Sequence, residues 1–93
     1  MVGRVALVTG ARVKIGFHVA LKLLRAGATV LATSRFPVDT SARFAAQADA
    51  AAWAGRLHVF GLDLLDLGAL ETFCDYVLAR FDRPDVPVNN ACP

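Results

Sequence analysis

The 93-residue sequence predicts an α/β domain in which a parallel sheet carries helices on both faces. Its apolar runs are continuous rather than alternating, as in strands buried on both sides. The segments between them repeat apolar residues at helical spacing. The two kinds alternate along the chain in the order β-α-β-α-β-α-β.

The first strand is RVALVTG, residues 4–10, a short apolar run ending at a turn. Ile15, Val19 and Leu23 then recur at i, i+4, with Ala20 and Leu24 widening the stripe, which predicts a helix over 15–26. His18 falls on its polar face with Lys14, Lys22 and Arg25, and Gly27 supplies the stop. ATVLATSR, residues 28–35, is the second strand. Asp39, Thr40 and Ser41 offer N-caps to an alanine-rich helix ending near Trp53 and Gly55. RLHVFGLDL is the third strand, and Asp66 caps a helix whose apolar face is Leu70, Phe73, Cys74, Val77, Leu78 and Phe81. Cys74 therefore reads as plain core. VPVNNACP begins a fourth strand, in which Pro87 lacks a donor and predicts a short or irregular ladder.

Composition narrows the class of protein. With 56% hydrophobic and 19% charged residues, the chain is too apolar for disorder and belongs to one domain. Apolar runs stay well short of the roughly 18 residues of a membrane span, and the start lacks a signal-peptide core. Cys74 and Cys92 have neither metal-ligand spacing nor the density of a disulfide scaffold, so a reducing cytoplasm is expected. The net charge of +2 divides unevenly: residues 1–46 hold seven Lys/Arg against one Asp, and residues 47–93 three Arg against seven acids. A basic first half suits an anionic ligand, although solvated helix faces give the same count. Without interleaved aromatics, these charges do not suggest a nucleic-acid surface.

The turn after the first strand, TGARVKIG, carries the chemistry. A turn between buried strand and helix aims free N–H groups and the helix dipole at one point, which suits a pyrophosphate. No Gly-Lys-Ser/Thr follows Gly10, which excludes a Walker-type loop. A methyltransferase-like site would call for an acid after the second strand, where Ser34 and Arg35 stand. That pair instead suits a 2′-phosphate, since an acid there would repel it and an arginine pairs with it.

These residues together resemble the N-terminal cofactor half of the short-chain dehydrogenase/reductase family. Its TGxxxGxG motif is matched by Thr9, Gly10, Ile15 and Gly16, its acidic residue after the third strand by Asp63, and its NNAG segment by Asn89 to Cys92. The resemblance covers essentially the whole chain and implies a Rossmann-type doubly wound parallel sheet, truncated after the fourth strand. Residues 1–93 are then a single partial dinucleotide-binding domain. The resemblance implies cofactor contacts at Thr9, Gly10, Arg12, Lys14, Ile15 and Gly16, at Ser34 and Arg35, at Asp63 (facing the adenine) and Leu64, and at Asn89 and Ala91. Read with Ser34 and Arg35, it implies NADP in preference to NAD.

Lys14 departs from the family at its middle glycine, as Cys92 does at the glycine of NNAG. A lysine forced to φ > 0 at position 14 would cost about 1–2 kcal/mol. The family's hydride transfer uses a serine and a Tyr-x-x-x-Lys pair, neither of which is here. Tyr76 precedes Val-Leu-Ala-Arg and reads as a helix-surface tyrosine, so no catalytic residue and no metal site is assigned. The expected function is the NADP(H)-binding portion of an oxidoreductase whose complete protein acts on a small carbonyl or alcohol and has room to form a homo-oligomer. The alternative is a noncatalytic nucleotide-binding or interaction domain that ends here.

Overall fold

The computed structural model describes residues 3–9, 14–63, 65–81 and 86–88. Its strands are β1 (Val5–Val8), β2 (Thr29–Ser34), β3 (Leu57–Gly61) and β4 (Val86–Val88). Its helices are α1 (Lys14–Arg25), α2 (Pro37–Ala45), α3 (Ala50–Trp53) and α4 (Leu67–Phe81), with a 3₁₀ turn over Ala54–Arg56. The strands form one parallel four-stranded sheet in the order β3-β2-β1-β4. The doubly wound α/β class is therefore as the sequence predicts. No helix among the described residues is long and apolar enough to cross a membrane.

Successive residues of the central strands feed two separate cores. Ala6, Val8, Val30 and Ala32 meet Leu21 and Leu24 of α1, Phe44 of α2 and Trp53 of α3. Leu7 and Leu31 point the other way and join Leu62 with Phe73 and Val77 of α4. Leu7, Val8, Val30 and Leu31 are fully buried, each contributing about 1.5–3 kcal/mol of apolar transfer. Strand order explains the division. The chain winds outward from β1 through β2 to β3, then returns across the sheet to β4. With right-handed crossovers, that reversal puts α4 on the face opposite α1, α2 and α3.

The end of α1 follows from its sequence. Gly27 adopts φ 99, the left-handed conformation that a glycine takes without a Cβ clash. The Ala28 N–H then reaches the Leu23 carbonyl at 3.0 Å and the Gly27 N–H reaches Leu24 at 3.1 Å, a Schellman closure. Arg56 adds a lock from the 3₁₀ turn. Its Nη2 donates to the Leu24 carbonyl at 2.7 Å and its Nε to Ala28 at 3.3 Å.

Several expectations are corrected. The alanine-rich helix begins at Pro37, not after Asp39, Thr40 or Ser41, because proline's fixed φ suits the first helical position. It also breaks into α2, α3 and the 3₁₀ turn, and Trp53 is buried at the end of α3. β3 is only partly buried, being the edge strand of the sheet. Leu78 is 48% exposed, because α4 presents a narrower stripe of Leu70, Phe73, Val77 and Phe81 to the sheet. Cys74 is half-buried and disulfide-bonded rather than a plain core thiol; helical periodicity reports a face, not the bonding of the atom on it. Among the described residues β4 spans Val86–Val88, with Pro87, which has no N–H to donate, opposite Leu7. One further expectation holds. Tyr76 lies partly exposed on α4 with its ring 5.7 Å from that of Phe60.

Candidate functional site

Because the sheet is wholly parallel, the C-terminal ends of its strands share one edge. Its winding direction reverses between β1 and β4. Open α/β sheets bind ligands beyond the strand ends at such a reversal.

β1 delivers Thr9 to this edge, 1% exposed. Gly10 and Arg12 lie outside the described residues, as do Leu64, Asn89, Ala91 and Cys92. α1 opens at Lys14 and runs on through Ile15 and Gly16, both on its first turn. A first helical residue has right-handed φ and ψ, so the left-handed strain expected at Lys14 does not arise. The first turn of α1 holds no acid. Helix N-termini stabilise negative charge, and this one instead begins with a lysine.

β2 ends in a tightly held turn. Ser34 is 5% exposed, and its Oγ accepts the Phe36 N–H at 2.9 Å. Its carbonyl accepts the Leu62 N–H, also at 2.9 Å, which extends the ladder past β3. Arg35 is exposed, with its guanidinium carbon 5.9 Å from the centroid of the Phe36 ring. Pro37 begins α2, whose N-terminus has no side-chain cap. The next acid along the chain, Asp39, receives a hydrogen bond from Arg43 Nε at 3.0 Å. An open groove of about 600 Å³ runs beside Arg35, Phe36, Pro37 and Val38.

Gly61 ends β3 opposite Ser34. A Cβ on Gly61 would sit 3.1 Å from Pro37 Cγ, so glycine is what lets the start of α2 lie this close to the sheet edge. Asp63 follows the strand, half-buried, and its Oδ1 accepts the Leu65 N–H at 2.9 Å. The predicted cap at Asp66 is in place, with Oδ1 accepting the Ala69 N–H at 3.0 Å.

The structure thus brings Thr9, Ser34, Arg35 and Asp63 to one edge beside the start of α1. Sequence reasoning missed the Phe36 ring and the Ser34–Phe36 turn. Pro37 was the signal for where α2 begins, since proline favours the first helical position. Among the described residues, no group of three or more His, Cys, Asp or Glu is placed to hold a metal ion. The ion pair of Arg25 with Asp49 lies at the far end of α1 from this edge and takes no part in it.

Known proteins share this fold. Residues 4–92 match the short chain dehydrogenase family. The chain is 34% identical over 89 residues to a fatty acyl-CoA reductase of Acinetobacter baylyi, covering 96% of this chain and 29% of that protein. It is 35% identical over 88 residues to carbonyl reductase [NADPH] 1 of Sus scrofa, covering 95% of this chain and 30% of the relative. Among solved structures, a metagenomic short-chain oxidoreductase in complex with NADP superposes with a TM-score of 0.84 at 37% identity, over 97% of this chain and 39% of its own. A short-chain dehydrogenase from Streptomyces avermitilis gives a TM-score of 0.80 at 34% identity, over 94% of this chain and 30% of its own. The chain therefore spans about a third of the length of the relatives it matches. Strand order, the edge that gathers Thr9, Arg35 and Asp63, and a match running from residue 4 to residue 92 agree, and this chain belongs to the short-chain dehydrogenase family.

Proposed function

We propose that this chain is the NADP(H)-binding part of an oxidoreductase that moves hydride between the nicotinamide and a carbonyl or alcohol carbon in the complete protein. The observation that carries the reading is the end of β2, where an exposed arginine stands beside a serine instead of an acid. A carboxylate there would accept both ribose hydroxyls of NAD and repel a 2′-phosphate; the guanidinium pairs with that phosphate. Asp39 does not cancel the positive charge, since Arg43 already neutralises it.

The remaining residues take matching roles. Thr9, Gly10, Arg12, Ile15 and Gly16 belong to the turn that holds the pyrophosphate at the start of α1. Lys14 adds charge there, where a helix with no acid in its first turn best tolerates an anion. Asp63 and Leu64 take the adenine, with Ser34 beside the 2′-phosphate, and Asn89 and Ala91 continue the site beyond β4. When bound, NADPH supplies the hydride. This chain's own residues bind and orient the dinucleotide, and none of them is assigned the proton transfer. Carbonyl reductase [NADPH] 1 and the NADP complex of the metagenomic relative support this choice of cofactor. A single partial domain over 1–93 and a cytoplasmic location belong to the same proposal, with room for the complete protein to form a homo-oligomer; the disulfide at Cys74 removes the support that the cysteines gave to a reducing compartment.

The test is the loss of absorbance at the reduced-nicotinamide band when the full-length protein meets a panel of aldehydes and ketones. Turnover with NADPH at higher kcat/KM than with NADH is the expected result. A preference for NADH, or no carbonyl reduced with either cofactor, would reject the proposal.

A further inference from the structure

We infer that Phe36 and Ser34 are positioning residues for Arg35, and that they, as well as the arginine, set the preference for a phosphorylated ribose. The inference rests on the proposed role of Arg35. An arginine at the tip of a strand carries several rotatable bonds, and ordering it on a ligand costs conformational entropy. Here two contacts narrow its choices before any ligand arrives. The first acts on the backbone. Ser34 is buried, and its Oγ accepts the Phe36 N–H across Arg35 at 2.9 Å. That bond closes a two-residue turn and fixes the direction in which the Arg35 side chain leaves the strand. The second acts on the side chain. The Phe36 ring lies under the guanidinium, 5.9 Å from ring centroid to Cζ, within the range of cation–π attraction.

The backbone that carries the Phe36 ring is itself held. Its residue is the N-cap of α2, its carbonyl accepts the Thr40 N–H at 3.0 Å, and Pro37 locks the next φ. Pro37 in turn rests against Gly61, where a side chain would crowd it. The ring is nonetheless 52% exposed, so it offers the cation a face while burying little apolar surface. A half-exposed aromatic at a helix start contributes little to the core. Its place under an exposed guanidinium accounts for it better.

The experiment measures dissociation constants of NADPH and NADH for the full-length protein and its variants by titration of nicotinamide fluorescence. Phe36→Ala should weaken NADPH binding about two- to fivefold, the range of an exposed cation–π contact, and leave NADH unchanged. Phe36→Tyr keeps the ring and should restore NADPH affinity, whereas Phe36→Leu should behave like alanine. Ser34→Ala should lower NADPH affinity selectively, and in an Arg35→Ala background it should have no further effect, as a residue acting through the arginine requires. The decisive arm is the double variant: in an Arg35→Ala background, Phe36→Ala should have no further effect. Equal weakening of both cofactors, or an undiminished effect without Arg35, would overturn the inference by showing a general structural role. A strong NADPH-specific effect of Arg35→Ala with none from Phe36→Ala would overturn the inference alone. No NADPH-specific effect of Arg35→Ala would overturn the proposed role of Arg35, and this inference with it. Unchanged thermal midpoints separate these outcomes from misfolding.

Discussion

Arg25 donates to Asp49 from Nε at 2.8 Å and from Nη2 at 3.0 Å, a two-pronged pair joining α1 to the turn before α3. The hydrogen bonds from Arg25 are the main cause that lowers the Asp49 carboxyl from its ordinary 3.8 to about 2. A carboxyl whose folded pKa lies below its unfolded one adds stability above the unfolded value. The contribution is lost as pH falls from 3.8 toward about 2. Both side chains are substantially exposed, so the effect is small and screened by salt. Arg25→Ala should return Asp49 to the ordinary carboxylate range in a carboxyl NMR titration; a midpoint still near 2 would contradict the assigned cause. Thr40 poses a different case. Sequence reasoning offers it as a helix cap, yet it is fully buried within α2 and its Oγ1 has no hydrogen-bond partner among the described residues. A buried unsatisfied hydroxyl costs about 1–3 kcal/mol, and valine has the same shape without it. Thr40→Val should therefore raise stability by about 1 kcal/mol in denaturant unfolding, and a loss of that size would show that the hydroxyl is satisfied.

Between elements, the junction of α1 with the rest of the fold is held by Arg56, which reaches two carbonyls at the helix end. Removing a partly buried, charge-assisted donor leaves the Leu24 carbonyl with only the Gly27 N–H and takes the Arg56 bond from Ala28. Arg56→Ala should cost about 1–2 kcal/mol, measured by urea unfolding, and Arg56→Lys should recover only part of it because an ammonium lacks the guanidinium's fork. At its other end α1 begins at Lys14, and the helix dipole is positive there. Lys14→Gly should weaken NADPH binding and flatten its salt dependence. Unchanged affinity at every ionic strength would make Lys14 an ordinary surface residue. The same helix shows how far sequence reading reached. The i, i+4 stripe and Gly27 mark α1 to within a residue at each end, because both signals are local. The alanine-rich segment after β2 was legible only as helix. Its break at 46–49 depends on how Phe44 and Trp53 pack against α1 and the sheet, which no local pattern reports.

For the molecule as a whole, continuous apolar strands foretold a parallel sheet, and the return from β3 to β4 turned it into a sheet covered on both faces. Arg35 was legible as a candidate from the lack of an acid at the end of its strand and Asp63 only through the family resemblance, and parallel strands bring both to one edge. Phe36 was not, since an exposed aromatic in a loop has meaning only once the arginine beside it is seen lying over its ring. In the proposed function that edge selects NADP(H) through Arg35. The most direct measurement is the ratio of NADPH to NADH dissociation constants for the full-length protein, before and after Arg35→Ala. NADPH should bind more tightly than NADH, and the substitution should cost about 1–3 kcal/mol, confined to the phosphorylated cofactor. Equal affinity for the two cofactors in the unmodified protein, or a substitution that weakens both alike, would contradict it.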